Sequence, residues 1–355
     1  MTTATFPYRL QREGVVMTAD PAREFEQEGV LNPASGWGTD GQLYLLPRMV
    51  AEGNVSRVGL VRVNVVEGTP TSVERLRVVL HPTHSWERAS GNAGVEDPRV
   101  SWIRALGLHV MTYVAFGPLG PRTAIAVSSD LLQWERLGPV LYRWDEESEV
   151  DLNLYHNKDA VFFGEPVTAP DGVRSLAVLH RPMGLLRPFH ADDPPTAIPP
   201  GPHTDRQSIW ISFLPLADVR ADPWRLTLWQ QHRFLAGPKY SWEALKIGAG
   251  PPPLRVAEGW LVLHHGVSGI FDPTVVRQQH VHYAVGGLLL DAERPWQVLN
   301  RATQPLLDPE TTAERVGIVP NVVFPSASAQ IDGNHFIFYG MADSAIGVAR
   351  LIRRP

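Results

Sequence analysis

Residues 126–138 read AVSSDLLQWERLG: an apolar run ends, the chain turns on small polar residues and Asp130, and the next extended segment opens on Trp134. The pattern returns at 213–226, FLPLADVRADPWRL, with Asp218 and Trp224, and at 288–299, LLLDAERPWQVL, with Asp291 and Trp296. Each copy reads as a strand end, a turn, and a strand start plugged by an aromatic. Repeats of this size mark radial or stacked architectures, and five divisions of 355 residues give about 71 residues each. The expected fold is all-β, a five-bladed β-propeller, with the whole of 1–355 as one catalytic domain preceded by a short extension over about 1–25.

The rest of the chain agrees. Short runs rich in Val, Ile, Leu, Tyr and Phe, bounded by Gly, Pro, Asp or Asn, recur throughout, among them GQLYLLPRMV (41–50), VSRVGLVRVNVV (55–66), RSLAVLHRP (174–182) and GWLVLHHGV (259–267). Glycine (30) and proline (32) together make about 17% of the chain, above the usual share near 12%. The two best helix candidates, 19–30 and 308–317, are short.

Composition narrows the function. The net charge is −5 with 19% charged residues, so no basic excess points to nucleic acid. There is no cysteine, hence no disulfide and no thiolate metal site. The first residues lack the apolar core of a secretory signal and no run of 18 apolar residues occurs, so a cytoplasmic protein that does not enter the membrane is expected. The 13 histidines form no H-E-x-x-H; HPTHSW and QHVHY lack an obvious third ligand, and no metal or other cofactor is expected. No Walker loop, no strand-borne G-x-G-x-x-G and no G-x-S-x-G elbow is present.

The informative residues are polar ones that interrupt apolar strands. Asn32, Arg48, Glu96 and Asp97, Arg99, Lys158 and Asp159, His180 and Arg181, Lys246, His264 and His265, and Asp343 all stand at or beside such runs. Buried charge is costly unless paired or given a ligand. Lys158, His180, Arg181, Lys246 and His265 together suit an anion, phosphate above all, whereas Asp97, Asp343, Asn32 and Arg48 suit a polyol such as a sugar. Glu96 and Asp97 side by side suggest a tuned acid.

The motifs EDPRV (96–100), NKDAVFF (157–163), LHRP (179–182), KIGAGPPP (246–253), GWLVLHHGV (259–267), YAVGGLLLD (283–291), VPNVVFP (319–325) and YGMADSAIGVA (339–349) resemble, in order and approximate spacing, those of the mannoside phosphorylases of glycoside hydrolase family 130. The resemblance spans about Asn32 to Leu351. It implies a five-bladed propeller that cleaves β-mannosides with inversion, usually by phosphorolysis to α-mannose 1-phosphate. It implies Asp97 as proton donor, an acid that must hold a proton at neutral pH while Glu96 and Arg99 set its pKa and orientation, acting through a sugar hydroxyl. Phosphate would rest on Lys158, His180 or Arg181, His265 and Tyr283, and mannose on Asn32, Arg48 and Asp343, with Glu96, Arg99, Asp159 and Lys246 around the substrate. The partners implied are a carbohydrate and inorganic phosphate, with homo-oligomers common in the family. Two alternatives stay open: an inverting β-mannosidase with Glu165 or Glu243 as base, and a sugar-binding propeller without catalysis. Trp37, Trp86, Trp102 and Trp242 are candidates for stacking on sugar rings. The proline-rich 180–208 segment would shape the acceptor side.

Overall fold

Leu43 and Leu45 pack into one apolar core, while Tyr44 and Leu46, their neighbours on the same strand, pack into another. A strand presents alternate residues to opposite faces, so both faces of this sheet are buried, and the sequence therefore reads as a continuous apolar run rather than an alternation. The computed structural model describes residues 5–354 apart from 90, 147–148, 186–198, 200–203 and 273. Most of the long 180–208 segment thus lies outside the described residues.

The strands follow in groups. β1 (Tyr8–Thr18) comes first. β2 (Gly29–Trp37), β3 (Leu43–Ala51), β4 (Val55–Val66) and β5 (Thr69–Leu80) form an antiparallel meander; β6 (Ala93–Ile103), β7 (Leu108–Gly117), β8 (Gly120–Ser128) and β9 (Glu135–Pro139) form a second. These two are joined by a short parallel pairing of Val55 and Ser56 with Ala93 and Gly94. After β10 (Leu141–Tyr142), the third contains β11 (Tyr155–Phe162), the short β12 (Val167–Thr168), β13 (Arg174–Leu185), β14 (Ile209–Pro215) and β15 (Leu228–Ala236). The fourth is β16 (Lys246–Ala249), β17 (Leu254–Val256), β18 (Gly259–Gly269), β19 (Val281–Leu290) and β20 (Val298–Arg301). The fifth is β21 (Val323–Ile331), β22 (Asn334–Met341) and β23 (Ala345–Arg353), and its outer strand is β1, paired antiparallel with β23 from Tyr8↔Arg353 to Thr18↔Ala345. The segment expected as an N-terminal extension therefore completes a sheet. Of the two helix candidates, 19–30 is a series of turns over 21–28 that runs into β2, and 308–317 holds a single helical turn, Thr312–Arg315.

Five apolar clusters lie between successive groups: first against second, second against third, third against fourth, fourth against fifth, and fifth against first. The order is cyclic, so no sheet has a free face. Among the described residues, no helix is long and apolar enough to cross a membrane.

The repeated Asp…Trp turns sit where the next-to-last strand of a group connects to its last, β8 to β9, β14 to β15 and β19 to β20. Asp130 and Asp291 cap these turns by accepting backbone N–H groups of residues two and three further on. In the third group the correspondence shifts. Asp222, not Asp218, accepts the Trp224 N–H, and Trp224 is 54% exposed. The buried plug there is Trp229, whose indole donates to Leu226 O just as Trp134 donates to Leu131 O.

A second repeat is deeper. Glu87 and Glu243 each close a Ser-Trp-Glu turn, at 85–87 and 241–243, and Glu314 closes a Thr-x-x-Glu turn. Each accepts two backbone N–H groups of its own turn and pairs with an arginine on the outer strand of its group: Arg136, Arg301 and Arg12 respectively. Each also meets a ring on the second strand, Tyr113, His264 or Tyr339. Glu26 with Arg75 repeats the pairing in the first group. These carboxylates are almost fully buried, so removing one leaves an arginine charge uncompensated. Glu243→Gln is expected to cost about 3 kcal/mol of unfolding free energy, whereas Glu74→Gln, which breaks the exposed Arg62–Glu74 pair, costs under about 1 kcal/mol; thermal and urea denaturation read both.

Candidate functional site

β2, β6, β11, β16 and β21, the strands that open the five groups, each lend a residue to one cavity, and three of them carry the same irregularity. Asn32 in β2, Asp97 in β6 and Asp159 in β11 have φ of 41°, 46° and 54°, in the left-handed region that non-glycine residues rarely adopt. At each point three steps along the inner strand match two on its neighbour: Leu31 to Ala34 against Arg48 to Leu46, Glu96 to Arg99 against Val114 to Thr112, and Lys158 to Val161 against Arg181 to Leu179. These are β-bulges, each with one extra residue. The bulge lets consecutive residues, Glu96 with Asp97 and Lys158 with Asp159, line one cavity, which strict alternation forbids. Such strain persists only where the surroundings enforce it and clusters at functional sites. Arg99 helps enforce it. Its guanidinium is buried, donating to the carbonyls of Asp97, Pro98 and Gly250. Glycine is required opposite two bulges: a Cβ on Gly248 would stand 2.2 Å from Asp159 Oδ2, and one on Gly340 2.3 Å from Asn32 Oδ1.

The cavity, about 620 Å³, takes in Asn32, Arg48, Glu96, Asp97, Lys158, Asp159, Arg181, Lys246, His265, Tyr283 and Asp343. Of the proton-donor, phosphate and substrate candidates, the structure brings all but two into this lining. Arg99 is not part of it and is committed to the carbonyls of Asp97, Pro98 and Gly250. His180 does not reach it. Its Nδ1 accepts from Asn157 Nδ2 at 2.9 Å, its Nε2 donates to Ser212 Oγ at 2.7 Å, and Ser212 passes the chain to His232 at 2.8 Å, whose Nε2 donates to the Arg143 carbonyl. That direction is forced, because a carbonyl only accepts. His180 is fully buried against Tyr142 and Trp229 and, with burial and His232 both opposing its charge, stays neutral. Both ring nitrogens are spent, so the phosphate role expected of it is withdrawn and Arg181 remains.

Two sides can be distinguished. On one, Arg48 donates to Glu96 at 2.8 Å and to Asp97 at 3.2 Å, and Asn32 donates to Asp97 at 2.9 Å; Asp343 faces the same space. On the other, Arg181 pairs with Asp159 at 2.6 Å, His265 Nε2 lies 3.5 Å from Asp159, and Lys246 sits 5.7–5.8 Å above the rings of Phe271 and Tyr283. Lys158 stands between, 3.3 Å from Glu96 and 4.0 Å from Asp97.

These pairings bias the ionisation of the cavity's carboxyls and overturn one expectation. Burial works to raise the Asp97 carboxyl, but Arg48, Lys158 and Arg99 outweigh it and hold it at about 2. The expected proton on Asp97 is thus disfavoured by three cations, foremost Arg48, which reaches both acids from a different strand. Asp343 is the carboxyl driven up, to about 6, by burial and by the negative charge of Asp97, against the pull of Arg48. Asp159 is held well below the usual range by Arg181 and His265 despite its burial.

Neither carboxylate considered as a hydrolytic base lines the cavity. Glu243 is committed to His264 and Arg301, and Glu165 is exposed. The four tryptophans are also absent from its lining; Trp37 and Trp102 are exposed and Trp242 stacks on His264. The aromatic lining is instead Phe116, Phe271, Tyr283 and Phe324, of which the sequence reading found only Tyr283.

Comparisons with known proteins point one way. Residues 222–354 match the family model described as beta-1,4-mannooligosaccharide phosphorylase. A 1,2-beta-oligomannan phosphorylase of Thermoanaerobacter sp. (strain X514) is 31% identical over 76% of this chain and 72% of its own length. A beta-1,4-mannooligosaccharide phosphorylase of Ruminococcus albus is 40% identical over 34% of this chain and 35% of its own. In structure, a beta-1,2-mannobiose phosphorylase of Listeria innocua in complex with beta-1,2-mannobiose superposes with a TM-score of 0.70 at 20% identity, over 98% of this chain and 97% of that one.

The raised carboxyl of Asp343 makes a test of these charges. A carboxyl with its folded pKa above its unfolded value binds more protons when folded, so its contribution to stability falls as pH rises from about 4 to 6. Asp343→Asn is therefore expected to melt higher than the parent at pH 7.5, by about 1–2 kcal/mol after allowance for its partial exposure, and to lose that advantage near pH 4. Thermal denaturation at the two pH values reads the difference.

Proposed function

The chain belongs to glycoside hydrolase family 130, and from that premise we propose that it is an inverting β-mannoside phosphorylase, built as a five-bladed β-propeller whose five sheets are the blades and whose axial cavity is the active site. The reaction yields α-mannose 1-phosphate and a shortened sugar, with inorganic phosphate as co-substrate and no resident cofactor. The observation that carries the reading is the cationic side of the cavity. Lys158, Arg181 and Lys246 converge there around Asp159 and the imidazole of His265, which burial keeps neutral, and Lys158 also touches Glu96. A hydrolase needs a second carboxylate to activate water; a phosphorylase needs cations to hold a nucleophile that is already anionic.

The other side suits mannose. Asn32, Arg48 and Asp343 offer the mixed donors and acceptors that a pyranose requires, and they surround Asp97, the proton donor in this reading. Asp97 must carry a proton to act. A phosphate dianion beside Lys158 offsets part of the positive charge that holds the carboxyl down, and the neighbouring Asp343, already raised, supplies the local reservoir. Phosphate thereby arms the acid as well as attacking. Phe116, Phe271 and Val276 at the cavity wall offer apolar surface to the acceptor sugar.

The test is incubation with β-1,2- and β-1,4-linked mannobiose, with and without phosphate. Phosphate-dependent mannose 1-phosphate is expected, and equal release of free mannose without phosphate would make the protein a β-mannosidase. Asp97→Asn is expected to lower kcat by 10²-fold or more, on the order of general acid catalysis, while mannobiose still binds by calorimetry. Full activity in that variant removes Asp97 from its role.

A further inference from the structure

Phosphorolysis leaves a proton unassigned. Phosphate enters at neutral pH largely as HPO4²⁻, and the ester it becomes has a second pKa of about 6, so the phosphate gives up its proton during turnover. The proton that Asp97 delivers to the leaving oxygen is a different one. A group in the cavity must receive the first.

The side chains of the cationic side differ in their freedom to do so. Arg181 is always charged and is tied to Asp159 and Gln207. Lys158 is paired with Glu96. Tyr283 is a donor whose hydroxyl burial pushes far up. His265, about 1% exposed, makes no hydrogen bond through either ring nitrogen among the described residues, and burial holds its imidazole well below the ordinary range, so it is a weak proton acceptor. Lys246 differs from the other cations. Among the described residues its amine makes no hydrogen bond and no ion pair, and it rests above the rings of Phe271 and Tyr283. It faces Lys158 and Asp159 from β11, Arg181 from β13, His265 from β18 and Tyr283 from β19. The cations outnumber the single carboxylate, and that carboxylate is already claimed by Arg181.

We infer, resting on the phosphorylase reading, that Lys246 is a catalytic residue that takes the phosphate's proton. One phosphate oxygen bonds to the mannosyl anomeric carbon as the bond from that carbon to the leaving oxygen breaks. The leaving oxygen takes the Asp97 proton. The P–OH proton passes to the Lys246 amine, which becomes ammonium, and the mannosyl phosphate departs as the dianion. A proton lost from Lys246 to water and one gained by Asp97 restore the starting state, so atoms and charge balance. The surroundings fit a base near neutrality: burial and the neighbouring Arg181 and Lys158 lower the Lys246 ammonium to about 7, against the pull of Asp159, which is the range in which a proton carrier works best.

The synthetic direction tests this cleanly, because α-mannose 1-phosphate is already dianionic above pH 7. There Lys246 must start as ammonium. For the wild-type protein, kcat/KM for mannose 1-phosphate is expected to fall above about pH 7, approaching tenfold per pH unit. Lys246→Arg keeps the charge but cannot give up a proton. It should leave the KM for phosphate within a fewfold, lower kcat by about 10²-fold, and abolish the decline up to pH 9. A wild-type profile flat from pH 7 to 9, or a Lys246→Arg kcat within threefold of wild type, overturns the assignment while leaving phosphorolysis intact. No phosphate-dependent turnover in the wild type would instead remove the phosphorylase reading on which it rests. If Lys246→Arg fails to fold by circular dichroism, the wild-type profile decides alone.

Discussion

Every sheet of this protein is buried on both faces, yet the sheets must also deliver polar side chains to a shared cavity, and the left-handed bulge reconciles the two demands. At Asn32, Asp97 and Asp159 one extra residue turns a side chain toward the axis while the strand on either side keeps its alternation. The strain is held by elements from elsewhere in the chain. Arg99 grips the carbonyls around Asp97, and Gly248 and Gly340 leave room for Asp159 and Asn32. The buried Glu–Arg pairs fix the first, second, fourth and fifth sheets, through their outer strands, to the turns that lead into their inner strands. Rigidity at the periphery is thereby passed to the axis, where catalysis depends on preorganised charge.

The charges of the cavity form a balance that a ligand can tip. Arg48 and Lys158 favour the ionised form of Asp97, and on the other side Arg181 already claims Asp159, which leaves Lys246 short of a compensating partner among the described residues. An incoming dianion answers the second deficit and relaxes the first. In the proposed phosphorolysis, binding of the nucleophile, protonation of the acid and the fate of the phosphate proton become one electrostatic event rather than three. Asp343, buried beside Asp97 and raised by it, is what a cavity built for turnover rather than stability looks like.

The parts legible in the sequence were those governed by local rules. Runs such as YLLPRMV and GWLVLHHGV became strands because two buried faces leave no polar position between them. The inner strands β2 and β21 were harder to see, since Asn32-Pro33 and Phe324-Pro325 interrupt them at the bulge or beside it. His180 and Arg181 are adjacent on a regular strand, so alternation alone allows only one into the cavity; Lys158 and Asp159 are also adjacent, but the bulge admits both. The two Ser-Trp-Glu turns, at 85–87 and 241–243, were a visible repeat, more faithful to the architecture than the Asp…Trp spacing, which slipped from Trp229 to Trp224. The ionisation of Asp97 was out of reach, because it is decided by Arg48, 49 residues away in the chain.

The account turns on whether the cationic side of the cavity holds phosphate, and a crystal structure of the protein with inorganic phosphate and mannobiose addresses that directly. A tetrahedral anion within hydrogen-bonding distance of Lys158, Arg181, Lys246 and His265, opposite a sugar ring contacted by Asn32, Arg48 and Asp97, is the expected result. A sugar in place with only water on the cationic side at saturating phosphate would contradict it.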